Sequence, residues 1–140
     1  MSAADNKEQY RRFFEDVVNE KNIAAFDEHI AAEFVEHEDI SPLPQNRDGV
    51  RQFFASVLEG LPDLNVTIDD MVSEGDKVWA RSTWRGTHTG EFQGIPPTNK
   101  EVTFGVIDIV RYSNGKFIEH WGVTDTFSLM MQLGVISPPE

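Results

Sequence analysis

The residues with the greatest chemical potential sit in the run Glu119-His120-Trp121-Gly122-Val123-Thr124-Asp125, followed by Thr126 to Gly134, near the end of the chain. Asp125 closes an apolar, strand-like segment, four residues after the indole of Trp121 and on the same strand face as Trp121 and Val123. A carboxylate in such surroundings is poorly solvated, so its charge must be used or neutralised. Asp125 is therefore the first candidate for a general acid or base, and the competing reading is an N-cap for a helix starting at Thr126.

Asp108 interrupts the apolar alternation Val102, Phe104, Val106, Val110, so strand phase points it into the interior. A carboxyl there can be raised in pKa and act as a donor or acid, or be paired with Arg111, Arg81 or Arg85. His37, within Phe34-Val35-Glu36-His37-Glu38-Asp39, falls where helical periodicity gives way to a loop. It reads as a base at a pocket rim or as a loop histidine paired with a neighbouring acid. His88 is in phase with Ser82 and Trp84 and can reach the same cavity as a ligand donor. His120 falls on the face opposite Trp121 and reads as an interface or surface residue, although a single bulge would exchange the two. His29 reads as structural.

Several chemistries are excluded or disfavoured. The chain contains no cysteine, which removes thiolate nucleophiles, thiol metal sites and disulfides. It carries no HExxH, HxH, EF-hand, Gly-rich phosphate loop or GxSxG elbow, so no metal site and no cofactor is expected. Twelve basic residues against 24 acidic ones give a net charge of -12, which repels phosphate backbones and anionic lipid. No nucleic acid or membrane partner is expected. With no signal-like N-terminus and no long apolar run, the chain reads as soluble and cytoplasmic.

The elements that must position these groups follow from periodicity. Tyr10, Phe13, Phe14, Val17 and Val18 predict a helix over about residues 5–20, with Asp5 and Glu8 resembling a capping box. Asn22 caps a short second helix carrying Ile23, Phe26 and Ile30, which ends before an irregular stretch at residues 37–46. Val50, Phe53, Phe54, Val57, Leu58 and Leu61 predict a third helix. From Leu64 the period becomes two, predicting a strand through Ile68 and longer strands near 77–89, 100–112 and 116–126. Asn114-Gly115 predicts a two-residue hairpin turn, Gly94 to Asn99 a loop, and Phe127, Met130 and Leu133 a short last helix.

Helices followed by antiparallel strands predict a single α+β domain over residues 1–140, with three N-terminal helices covering one face of a curved sheet and a pocket between the layers. The strand at 100–112 is apolar on both faces, with Ile107 and Ile109 opposite Phe104, Val106 and Val110. Helices cover only one face, so the other predicts a homodimer or tetramer.

The stretches Gly86-Thr87-His88-Thr89-Gly90-Glu91-Phe92-Gln93-Gly94-Ile95-Pro96-Pro97-Thr98, Ile107-Asp108-Ile109-Val110-Arg111-Tyr112 and Glu119-His120-Trp121-Gly122 leading to Asp125 resemble the SnoaL-like polyketide cyclases. These belong to the nuclear transport factor 2-like superfamily, which includes ketosteroid isomerase. The resemblance covers nearly the whole chain. It implies a cone-shaped α+β barrel of antiparallel or mixed sheet, a deep apolar pocket, and cofactor-free intramolecular aldol condensation with an aspartate, here best matched by Asp125, as general acid/base. Compared with ketosteroid isomerase, the loop base falls on His37 and the strand acid on Asp108. The helix-one tyrosine of the isomerase falls on Phe14, which removes an oxyanion donor.

Together these readings predict a cyclase-like enzyme acting on the α-proton of a small apolar or aromatic carbonyl compound. Asp125 is its acid/base, His37 and Asp108 assist, and Phe14, Trp84, His88, Phe104 and Trp121 contact substrate. The rival expectations are an isomerase or epoxide hydrolase on the same fold, and a non-catalytic pocket that binds a small molecule or a protein.

Overall fold

The computed structural model describes residues 2–137. Helix α1 (Ala3–Phe13) begins one turn earlier than its sequence signal, because Ser2 and Asp5 form the reciprocal capping box expected of Asp5 and Glu8. It runs without a break into a π-helical segment, Phe14–Asn19, so the two together match the long helix predicted. A 3₁₀ turn, Ile23–Ala25, and a single helical turn α2 (Phe26–His29) follow.

Ile30 does not continue the second helix; residues Ile30–Glu36 form strand β1. The stretch is too short and too irregular in apolar spacing to declare either period, and its partner lies more than eighty residues away. Helix α3 (Arg47–Gly60) is capped by Asn46, whose Oδ1 accepts the Gly49 N–H at 2.9 Å. Strands β2 (Asn65–Glu74), β3 (Lys77–Thr87), β4 (Glu101–Ser113) and β5 (Lys116–Thr124) occupy the places expected, and α4 (Thr126–Leu133) closes the fold.

The five strands make one sheet in the order β1-β5-β4-β3-β2, with β1 parallel to β5 and every other pair antiparallel. The β4–β5 turn is the predicted Asn114-Gly115, both at positive φ (52° and 77°). Three helices and the inner sheet face enclose an aromatic core, in which the Phe13 ring meets Phe14, Phe26, Phe54 and Phe117 at centroid distances of 5.0 to 5.8 Å. Among the described residues no helix covers the sheet's outer face. There Trp79, Ile109 and Trp121 align in register across β3, β4 and β5, and Ile107 pairs with Val123.

The helical layer is tied to the sheet by Asn19. Its Nδ2 donates to Val66 O at 3.0 Å and its Oδ1 accepts Val66 N–H at 2.7 Å, so one amide satisfies both main-chain groups of a residue on edge strand β2. Removing it strands a donor and an acceptor beside the core. Asn19→Ala should therefore lower unfolding stability by about 1–3 kcal/mol, read from urea unfolding with an unchanged slope.

Candidate active site

Strand alternation sends Trp84, Phe104, Val106, Asp108 and Val110 from β3 and β4 to the inner face, where they line a cavity of about 830 Å³ together with Tyr10, Phe14, Phe54, Phe92 and Met130. The walls are largely aromatic and aliphatic. Its polar end is a continuous hydrogen-bonded chain from four elements. The Tyr10 hydroxyl on α1 donates to Asp108 Oδ2 at 2.7 Å, and His120 on β5 lies between two carboxylates, Nε2 2.7 Å from Asp108 Oδ1 and Nδ1 2.5 Å from Glu36 Oε2 on β1. Glu36 and Asp108 are buried and His120 nearly so.

Burial by itself would lower the His120 imidazole. The hydrogen bonds and negative charge of Asp108 and Glu36 outweigh it and push the group up to about 10, so at neutral pH it is an imidazolium donating from both nitrogens. Burial, reinforced by the charge on Asp108, holds Tyr10 well above the usual phenol range, so it stays a donor. Glu38 also lines the cavity. Desolvation raises its carboxyl, partly offset by the charge on His120. Gly122 leaves the room these groups need, since a Cβ there would fall 2.7 Å from His120 Cε1 and 2.8 Å from Glu38 Oε1.

The predicted site residues divide between the two sides of the sheet. Asp108, Phe14, Trp84 and Phe104 all line the cavity. Asp108 is paired there, but with His120 and Tyr10 rather than with any of the arginines considered. Asp125 is a correction: it is exposed, stands apart from the cavity lining, and caps α4 by accepting the Ser128 N–H on Oδ1 at 3.1 Å. Trp121 and His37 are corrections of the same kind. Their rings stack on each other outside the cavity at 4.8 Å, and His37 Nε2 is 2.8 Å from Glu119 Oε2. His88 is fully buried but does not line the cavity. Its Nδ1 accepts the Thr98 N–H at 3.2 Å and contacts Thr98 Oγ1 at 2.9 Å, which closes the 88–99 loop.

His120, expected outside, faces in. Phe14 lines the cavity without a hydroxyl, and one turn earlier on α1 the Tyr10 hydroxyl donates to Asp108. Neither it nor Glu36 and Glu38 was singled out from the sequence. The available signal was a tyrosine hydroxyl on an otherwise apolar helix face, in a chain with an aspartate on an apolar strand face. Among the described residues no three His, Asp or Glu side chains are grouped as a metal site would need, and no helix is long and apolar enough to cross a membrane.

The profile of the SnoaL-like polyketide cyclase family matches residues 8–133. Among solved structures the chain is similar to TsrD from Streptomyces laurentii, with 29% identity, a TM-score of 0.86, and coverage of 97% of this chain and 99% of that one. It is similar to IdmH from Streptomyces antibioticus, a candidate polyketide cyclase, with 28% identity, a TM-score of 0.79, and 92% and 98% coverage. AclR from Streptomyces galilaeus, a candidate hydroxylase, shares 25% identity over 99% of this chain and 87% of its own, with a TM-score of 0.86. No curated protein matches the chain.

The imidazolium leaves a signature in stability. The folded value of His120, about 10, lies above its ordinary value of 6.5, so its contribution is complete below about pH 6.5 and is lost as pH rises through 10. Urea unfolding followed from about pH 6 to 10.5 should show stability declining by on the order of a few kcal/mol. A flat profile over that window would show that the imidazole is not held charged.

Proposed function

Because the chain belongs to the SnoaL-like polyketide cyclase family, we propose that its cavity carries out cofactor-independent acid–base chemistry on a carbonyl compound, with Asp108 as the proton-transferring carboxylate. The observation that carries this reading is the buried chain Tyr10–Asp108–His120–Glu36 opening into a cavity of about 830 Å³ with apolar walls. A volume of that size encloses a drug-sized molecule and keeps water from it.

The step follows from the charges. Asp108 removes a proton from the carbon α to the carbonyl, giving an enolate and a neutral carboxyl. The enolate carbon attacks a second carbonyl of the same molecule, forming the carbon–carbon bond, and the alkoxide so formed takes the proton back from Asp108. No atom is gained or lost. The imidazolium of His120 lies against the carboxylate and offsets the negative charge as it passes to the substrate, in a medium where that attraction is weakly screened. Tyr10 holds the carboxylate from the helical side. Trp84 and Phe104, 5.8 Å apart, form the apolar wall against which a flat substrate packs.

We further propose that a second copy of the chain covers the outer sheet face. Trp79 is 50%, Ile107 51% and Val123 70% exposed there, side by side, where water would otherwise meet a contiguous apolar surface.

Incubation with enolisable ketones, β-keto esters and aromatic esters in D₂O, followed by NMR, tests the chemistry. Wild type should exchange α-protons or cyclise a substrate, and Asp108→Asn should lose about 10²-fold or more of the rate while keeping the fold. Undiminished turnover in Asp108→Asn would sink the assignment. Ligand-induced stabilisation without exchange by the wild type would instead indicate a binding pocket. For the outer face, Ile107→Lys should convert a dimer into a monomer by light scattering, and a wild type that is already monomeric would refute the dimer.

A further inference from the structure

Residues 36–38 alternate in direction. Glu36 and Glu38 enter the cavity and His37, between them, faces out. On β5 the same alternation sends His120 in and Glu119 and Trp121 out. The outward residues meet. The His37 and Trp121 rings are nearly parallel, 9° apart in tilt, and His37 Nε2 reaches Glu119, which also holds Arg111 through Nε at 2.6 Å. Lys77 Nζ lies 5.5 Å from the Trp121 ring centroid.

We propose that His37 and Trp121 are positioning residues, whose stacked pair on the outside of the sheet fixes Glu36 and Glu38 against His120 on the inside. β1 is an edge strand paired with β5, with a single-residue bridge from Val35 to Asn46 on its other side, and its register with β5 shifts between Ile30 and Val35. Near the site it keeps only the pairs Val35–Glu119 and Glu36–His120, and the last main-chain bond is His37 N–H to His120 O at 2.9 Å. After it the chain turns away. On the far side Gln45 and Asn46 brace the strand end: Gln45 O accepts the Glu36 N–H at 3.1 Å, Gln45 Nε2 donates to Glu36 O and Glu38 O at 3.2 Å each, and Val35 bridges Asn46. These ties hold the backbone, and the stacked rings add a side-chain tie on the outer face, because a tilt of the strand end that withdraws Glu36 from the imidazole must also lift His37 off the indole.

The clamp sets the proton affinity of His120. The groups facing that imidazole are Glu36 and Glu38 from β1 and the loop after it, and Asp108 from β4, with Tyr10 donating to Asp108 and the buried Tyr112 hydroxyl within the field of Asp108. The groups facing His37 are Glu119 and, behind it, Arg111, with Lys77 across the indole. When Glu36 recedes, one of the two carboxylates that keep the imidazole protonated weakens, and its titration midpoint falls.

The test is an NMR titration of the His120 imidazole in the full chain, which needs no substrate. His37→Ala should move the midpoint down from about 10 by about one pH unit or more. His37→Phe, which keeps a ring over Trp121, should restore most of it. If His37→Ala does not fold, Trp121→Leu gives the same reading from the other ring. A folded variant whose His120 midpoint matches wild type overturns the clamp. The α-proton exchange rate is a second readout and rests on the acid–base reading above: His37→Ala should slow it about tenfold with little change in KM. A midpoint shift with unchanged exchange would count against that reading and for the clamp, so the two can fail separately.

Discussion

Everything at the polar end of this fold depends on two carboxylates held against one imidazole away from water. Three buried ionic groups in an apolar cavity cost several kcal/mol each in lost hydration, and they persist only if every charge has a partner at hydrogen-bonding distance. Glu36, His120 and Asp108 meet that condition, with Tyr10 taking the remaining oxygen of Asp108. The four groups come from β1, β5, β4 and α1. The pairing therefore requires the edge strand, two central strands and the first helix all to be in place, and loosening any of them leaves an uncompensated charge.

The same constraint explains the charge state that the proposed chemistry uses. Solvation by protein groups rather than water makes the imidazolium the stable form of His120 and the phenol the stable form of Tyr10. Positive charge thus already stands where negative charge develops, and no solvent must reorganise during reaction. Glu38 adds a carboxyl that burial pushes towards the neutral form. Phe13, Phe54 and Trp84 line the same cavity as these polar groups.

Period-two alternation divides the sheet into a face that lines the cavity and an outer face, and the dividing residues are neighbours in sequence. Glu36 and His37, or His120 and Trp121, differ by one position and lie on opposite sides of the sheet. Under the proposed clamp, a change at an outer residue reaches the site through this single backbone.

Local chemistry was readable directly. The helix periods, the Asn114-Gly115 turn, the four later strands and the inward phase of Asp108, Trp84 and Phe104 each depend on residues close in sequence, and the family-specific stretches pointed to the fold that the chain adopts. What only the tertiary structure decided is the register of β5. Tyr112 pairs with Phe117 but Arg111 pairs with Glu119, so Ile118 is an extra residue that reverses the facing of everything after it. An unbroken ladder from the hairpin turn would set His120 opposite Ile109, on the outer face; the bulge sets it opposite Val110, on the inner one. For that reason His120 enters the cavity while Trp121 and Asp125 do not, and β1, whose partner is distant in sequence, delivers Glu36 to meet it. A single inserted residue has no local signature, because its effect exists only relative to the strand it pairs with.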